Sequence, residues 1–207
     1  TREPADGRRG EVQRFALGLN AGGWMAYDEP MSLQKIHDTD VAALSLVCYP
    51  DPRLNEVCTP IGEVDGRVVA LAERMLELMF ENRGVGLAGP QVGVTARIFV
   101  ASPSFDPADR LVYIDPVLSE RQGEAEDEEG CLSFPGVRCK VKRARKLVIE
   151  ATGLDGQRFS QEVADLHARI CQHEFDHIEG ITLNERMSRM GRMANRKALK
   201  QLVAEAT

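Results

Sequence analysis

Residues 146–178 read KLVIEATGLDGQRFSQEVADLHARICQHEFDHI, and two periodicities meet there. Leu147, Ile149 and Ala151 alternate with polar neighbours, the two-residue repeat of a half-buried strand. Asp155-Gly156 lies between that run and Arg158–Val163. Such a dipeptide accepts the positive φ of a tight turn, so the segment reads as a β-hairpin. From Asp165 to Ile178 the pattern changes to a helix, capped by Asp165 and stopped near Gly180. Ala96–Ala101 and Leu111–Ile114 also read as strands, the second closed by Pro116, and Val137, Cys139 and Val141 alternate again. Strands that cluster in hairpins, instead of alternating with helices, give an α+β fold with antiparallel sheets. The helix carrying His173 to His177 should be central to it.

Working outward, Val68, Leu71, Ala72, Met75, Leu76 and Met79 recur at helical spacing, which predicts an amphipathic helix over Arg67–Asn82, ended by Gly84 and Gly86. Leu44, Leu46 and Val47 form a short apolar run stopped at Pro50-Asp51-Pro52. Asn184–Ala206 reads as one C-terminal helix. Residues 1–40 show no sustained period and are expected to form a flexible N-terminal extension, followed by a single domain over 41–207. Glu3, Asp6 and Glu11 are out of keeping with an acid-poor transit peptide. The 207 residues carry a formal net charge of −6, which argues against DNA and anionic membrane surfaces as partners. No stretch approaches the roughly 18 apolar residues of a membrane span. Five scattered cysteines do not make a disulfide framework, so a reducing compartment such as the cytoplasm is expected.

Three segments carry chemistry. In His173-Glu174-Phe175-Asp176-His177 the two histidines sit four apart and share one helix face, so their imidazoles can hold one metal ion. Glu174 is placed to act as general base on a water without ligating the metal. A catalytic site takes three protein ligands and leaves one position open. A histidine six residues beyond His177 would serve in one large metalloprotease class, but Leu183 stands there. Cys131, in Glu129-Gly130-Cys131-Leu132-Ser133, can supply a thiolate instead; Cys48, Cys58, Cys139 and Cys171 are left as ordinary thiols. The third segment, Gly84-Val85-Gly86-Leu87-Ala88-Gly89-Pro90-Gln91, lets a backbone approach closely and offers free peptide groups to an extended chain. Gln91 adds an amide donor suited to an oxyanion.

Together, and in this order, Gly84–Gln91, Glu129–Ser133 and Gln172–Ile178 resemble the three signatures of the peptide deformylases, with Ser133-Phe134-Pro135-Gly136 similar to the bacterial and plastid branch. The resemblance spans about Leu44–Met187. Gly89 and Ile178 depart mildly from it, replacing an alanine and a leucine.

The resemblance implies a hydrolase that removes the N-formyl group from formylmethionine at the start of new polypeptides, releasing formate. It implies that Cys131, His173 and His177 hold a divalent metal, commonly Fe²⁺, with Zn²⁺, Ni²⁺ or Co²⁺ accepted. Glu174 would move the proton, while Gln91 and the Leu132 N–H hold the formyl oxygen. Val85 and Gly86 would line the methionine pocket and pair with the peptide, with Glu129 and Arg138 as supports near its mouth. Asp176 reads equally as a group orienting the ligands or as a solvated ion pair. Glu124–Glu128 reads as a solvated loop. Arg186, Arg189, Arg192, Arg196 and Lys200 fall on one stripe of the last helix, with Met187, Met190 and Ala194 inward, and that stripe is a candidate contact for ribosomal RNA. Two rival readings share the helix motif: a small zinc metalloprotease, and a structural metal-binding module in which Glu174 is dispensable. The expected compartment is the bacterial cytoplasm, with an organellar stroma or matrix as the alternative.

Overall fold

The apolar periodicities converge on one sheet covered from both sides. In the computed structural model, which describes residues 31–206, the chain runs α1 (Met31–Asp38), α2 (Gly66–Glu81), β1 (Gly86–Ala88), β2 (Ile98–Ala101), β3 (Leu111–Gln122), β4 (Ala125–Gly130), β5 (Arg138–Arg143), β6 (Lys146–Thr152), β7 (Arg158–Ala164), α3 (Asp165–Ile178), α4 (Leu183–Arg186), α5 (Arg189–Ala194) and α6 (Arg196–Glu205). Five strands form an antiparallel sheet in the order β1-β2-β3-β6-β7, and β4 pairs with β5 as a separate ribbon. The α+β architecture is therefore the one read from the sequence.

Strand β2 explains the central position of α3. Its Ile98 and Val100 join Leu71, Met75 and Met79 of α2, whereas Phe99 and Ala101 join Ala168, Ile170 and Cys171 of α3. Both faces are covered, so all four residues are buried and the strand reads as a continuous apolar run. Burying each such side chain fully is worth about 1.5–3 kcal/mol. The β6–β7 hairpin turns only one face inward, through Leu147, Ile149, Ala151 and Val163, and keeps the expected alternation. Asp65 starts α2 by accepting from the N–H groups of Arg67 and Val68, both at 2.9 Å.

Several expectations are corrected. Pro116 does not close β3; the strand runs on to Gln122 across a register shift between Ile114 and Val117, where a missing N–H costs no ladder bond. Asp115 at that shift has φ +49°, and its carboxylate accepts from the N–H groups of Ile61 and Gly62 at 2.8 Å. Asp165 does not cap α3: it is the first helical residue, at φ +50°, and its carboxylate pairs with Arg145. The acidic stretch is no solvated loop but largely β4, registered so that Glu126 faces Lys142 and Glu128 faces Lys140 on basic β5, which opposes unlike charges across the ribbon.

The single C-terminal helix is three pieces. Ser188 caps α5 through a bond from the Gly191 N–H, and Asn195 separates α5 from α6. Met187 is buried, but Met190 is 81% exposed, so it does not pack inward. The extension is also not uniform: α1 lies within it and drives Ile36, fully buried, into the α2 core, with Lys35 Nζ 2.9 Å from Thr95 Oγ1. Residues 1–30 of that stretch lie outside the described residues. Among the described residues, no helix is long and apolar enough to cross a membrane.

Candidate active site

Four residues apart on α3, His173 and His177 present their rings on one side of the helix, with centroids 5.1 Å apart. The turn after β4 brings Cys131 to them. Its Sγ stands 3.2 Å from His177 Nε2, and the donor atoms of Cys131, His173 and His177 all lie within 4.8 Å of one another. A sulfur and two imidazole nitrogens at this separation suit a borderline-soft divalent cation. Among the described residues this is the only such group, and its three donors would leave a bound divalent ion able to take a small reactant. A closed structural site would need a fourth protein ligand.

Glu174 lies one step along the helix and is 4% exposed; its Oε2 has no hydrogen-bond partner. Burial pushes its carboxyl up to about 7, against the opposing pull of His173 and Arg143. That value suits a group asked to take and return a proton near neutrality. Gly86 of β1 lies directly against it, and a Cβ at that position would occupy the space of the carboxylate. The glycine is needed there for close approach.

Gln91 faces the same space from the other side. Its Oε1 accepts from the Ala88 N–H at 2.8 Å. Because that N–H can only donate, the side-chain amide is oriented, and Nε2 points to Cys131 Sγ at 3.4 Å and Ser133 Oγ at 3.2 Å. No hydrogen bond engages the neighbouring Leu132 N–H among the described residues. The Leu132 N–H is thus an available donor beside the metal-binding group, and the Gln91 amide, bonded to Cys131 and Ser133, stands next to it. They open into a cleft of about 540 Å³ whose lining includes Val85, Gly86, Leu166 and Ile170. Arg138, expected near the mouth, lies at the rim and pairs with Glu128 at 3.5 Å.

Behind the histidines stands a buried charge cluster. Glu129 accepts from His173 Nδ1 at 2.9 Å, from Arg143 through both oxygens at 2.9 Å, and from Arg169 at 2.6 Å. Burial alone would raise the Glu129 carboxyl, but the Arg143 guanidinium and His173 outweigh it and hold it well below the usual range. Arg143 also reaches Asp176 Oδ2 at 2.6 Å, and Asp176 pairs with Arg186. Asp176 is therefore a buried carboxylate bridging Arg143 and Arg186, and Arg186, though itself exposed, commits its guanidinium to that bridge.

Arg143 and Arg169 were not singled out from sequence. For Arg143 a signal existed: it falls in phase with Cys139 and Val141, the inward positions of β5, where a charge must be paired. Ser133, beside Gln91, had no such mark.

Residues 43–193 match the polypeptide deformylase family. A peptide deformylase of Neisseria gonorrhoeae is 42% identical over 150 residues, covering 72% of this chain and 90% of that protein. Peptide deformylase 1 of Clostridium perfringens is 45% identical over 131 residues, covering 63% and 88%. Among solved structures, a plant peptide deformylase aligns at TM-score 0.76 with 34% identity over 79% of this chain and 91% of that one. A peptide deformylase from Legionella pneumophila aligns at 0.74, also with 34% identity, over 79% and 96%.

Proposed function

This chain belongs to the polypeptide deformylase family and is a metal-dependent hydrolase that removes the N-formyl group from newly made polypeptides; from that premise we propose how its own residues divide the work. Cys131, His173 and His177 hold the metal, a reading supported by their mutual distances within 4.8 Å. We assign Fe²⁺, the same donors accepting Zn²⁺, Ni²⁺ or Co²⁺. A divalent ion there supplies Lewis acidity that brings hydroxide within reach near neutral pH.

The remaining chemistry falls to side chains and backbone. Glu174 takes the proton of the attacking water and gives it to the departing amine nitrogen. As the formyl oxygen gains charge, Gln91 Nε2 and the Leu132 N–H donate to it. The Val85–Gly86 backbone pairs with the extended peptide, and the methionine side chain enters the cleft beside them. Glu129 fixes the His173 ring through Nδ1, leaving Nε2 for the metal. Arg138 borders the peptide's exit.

The observation that carries this reading is the unpaired Glu174 carboxylate beside a three-donor group. Formate release from a formyl-Met peptide by wild type, Glu174→Ala and Cys131→Ala tests it: both variants lose activity, and only Cys131→Ala loses metal. Activity surviving Glu174→Ala would overturn it.

We place the activity in the bacterial cytoplasm, in line with the bacterial relatives. Ribosome contact is assigned to Arg189, Arg192 and Arg196, which line one groove with Met187 and Met193. Charge reversal at Arg189 and Arg192 weakens that contact and flattens its salt dependence; unchanged binding at low salt discards it.

A further inference from the structure

Charge at the rim of the cleft is unevenly compensated. The lining of the cleft includes Asn82 and Arg83 from the end of α2, and Glu128 and Arg138 from the β4–β5 ribbon. Glu128 is engaged by Arg138 at 3.5 Å. On α2, the neighbouring Glu77 and Glu81 pair with Arg74, at 2.9 and 3.8 Å. Arg83 has no ion-pair partner among the described residues, in a chain whose net charge is −6.

Its backbone is unusual as well. Arg83 sits at φ +57° in the turn that ends α2, with its N–H on Phe80 O at 3.0 Å and the Gly84 N–H on Met79 O at 2.8 Å. Glycine fills such a helix-ending position at no steric cost, so an arginine there holds its side chain at the rim against backbone strain.

The topology aims a substrate at this residue. β1 is an edge of the sheet, bonded only to β2, and its other edge is open to an added strand. A peptide lying antiparallel to β1, with its formyl end at Gln91, runs back past Gly86 towards Gly84 and Arg83. At about 3.4 Å per residue, a first residue opposite Gly86 puts the third opposite Gly84, beside the guanidinium.

We infer that Arg83 is a specificity-determining residue: its unpaired guanidinium at the cleft rim favours formylated peptides carrying an acidic side chain at the third residue over those carrying a basic one. The inference rests on the deformylase reading of the cleft. The test measures kcat/KM for formyl-Met-Ala-Asp-amide, formyl-Met-Ala-Lys-amide and formyl-Met-Ala-Ser-amide. An Asp-over-Lys preference of about fivefold is expected at low salt, the upper range of an exposed charge pair. It shrinks towards one at about 0.5 M salt. Arg83→Gly, which relieves the strain and so does not threaten folding, brings the ratio to about one, and Arg83→Glu inverts it. A wild-type ratio near one, or a preference that persists in Arg83→Gly, overturns the inference. Absence of formate release from the neutral peptide would instead strike the reading of the whole site, so the two failures are separable.

Discussion

Glu174 and Glu129 flank the same pair of imidazoles at nearly equal burial, 4% and 6% exposed, yet their carboxyls are driven in opposite directions. In front of the ligands, Glu174 has a free oxygen and no cation bonded to it, and desolvation carries its pKa up to about 7. Behind them, Glu129 is held by Arg143, Arg169 and His173 and stays ionised throughout the physiological range. Depth is the same for both; partners make the difference. One short helix can therefore carry a carboxyl that titrates near neutrality and rest on a fixed anion, two opposite environments for two carboxylates.

The sharpest way to break this contrast is to remove the front carboxylate. Glu174→Ala should cut formate release by about 10²–10⁴-fold while metal content stays at the wild-type level, because the donors lie elsewhere. A parallel loss of metal, measured by elemental analysis, would assign Glu174 to the wrong side of the comparison. Behind the ligands, Arg143→Ala leaves Glu129 and Asp176 each short of a cation inside the protein. The expected cost is about 3–5 kcal/mol in urea unfolding, since the carboxylates stay buried; a loss under about 1 kcal/mol would show that Arg169 and Arg186 suffice without it.

Acidity separates the two groups in a third way. In metal-free protein, the folded-state pKa of Glu174 lies above the usual 4.5, so folding favours its protonated form. The stability this lends is fully present below about 4.5 and is lost as pH rises through about 7, a fall of about 3 kcal/mol. Urea midpoints across that window should trace the fall in wild type and lose it in Glu174→Gln; identical slopes would place the titration elsewhere. The smallest effect is sought at Glu129→Gln, which keeps the shape and removes the charge behind His173. Metal affinity should drop about 10–100-fold, measured by competition with a chelator.

Much of the site was legible because its chemistry is local in sequence. His173 and His177 share a face by helical arithmetic alone, Glu174 follows from its place between them, and the glycines around Val85 mark a backbone meant to be approached. Cys131 needed its own segment to be recognised as a partner. The parts that stayed hidden depend on chains far apart in sequence. Arg143 bridges Glu129 and Asp176 across 14 and 33 residues, so its inward phase on β5 marks a buried charge without saying which partners it will meet. The acidic β4 read as loop because its charges find their partners only once β5 is alongside. Continuous helical periodicity after Asn184 concealed the breaks at Ser188 and Asn195, where side-chain and backbone bonds outweigh propensity.

By itself, the sequence determined the α+β class and the helix bearing the two imidazoles, because period, turn chemistry and short spacings act within a few residues. Only the tertiary structure decided which carboxylate would be paired and which left bare, where Arg186 would point, and that Arg83 would stand uncompensated at the cleft rim. Those outcomes are set by which charges share a desolvated volume, and nothing along the chain fixes that before the sheet, the ribbon and α3 close around it.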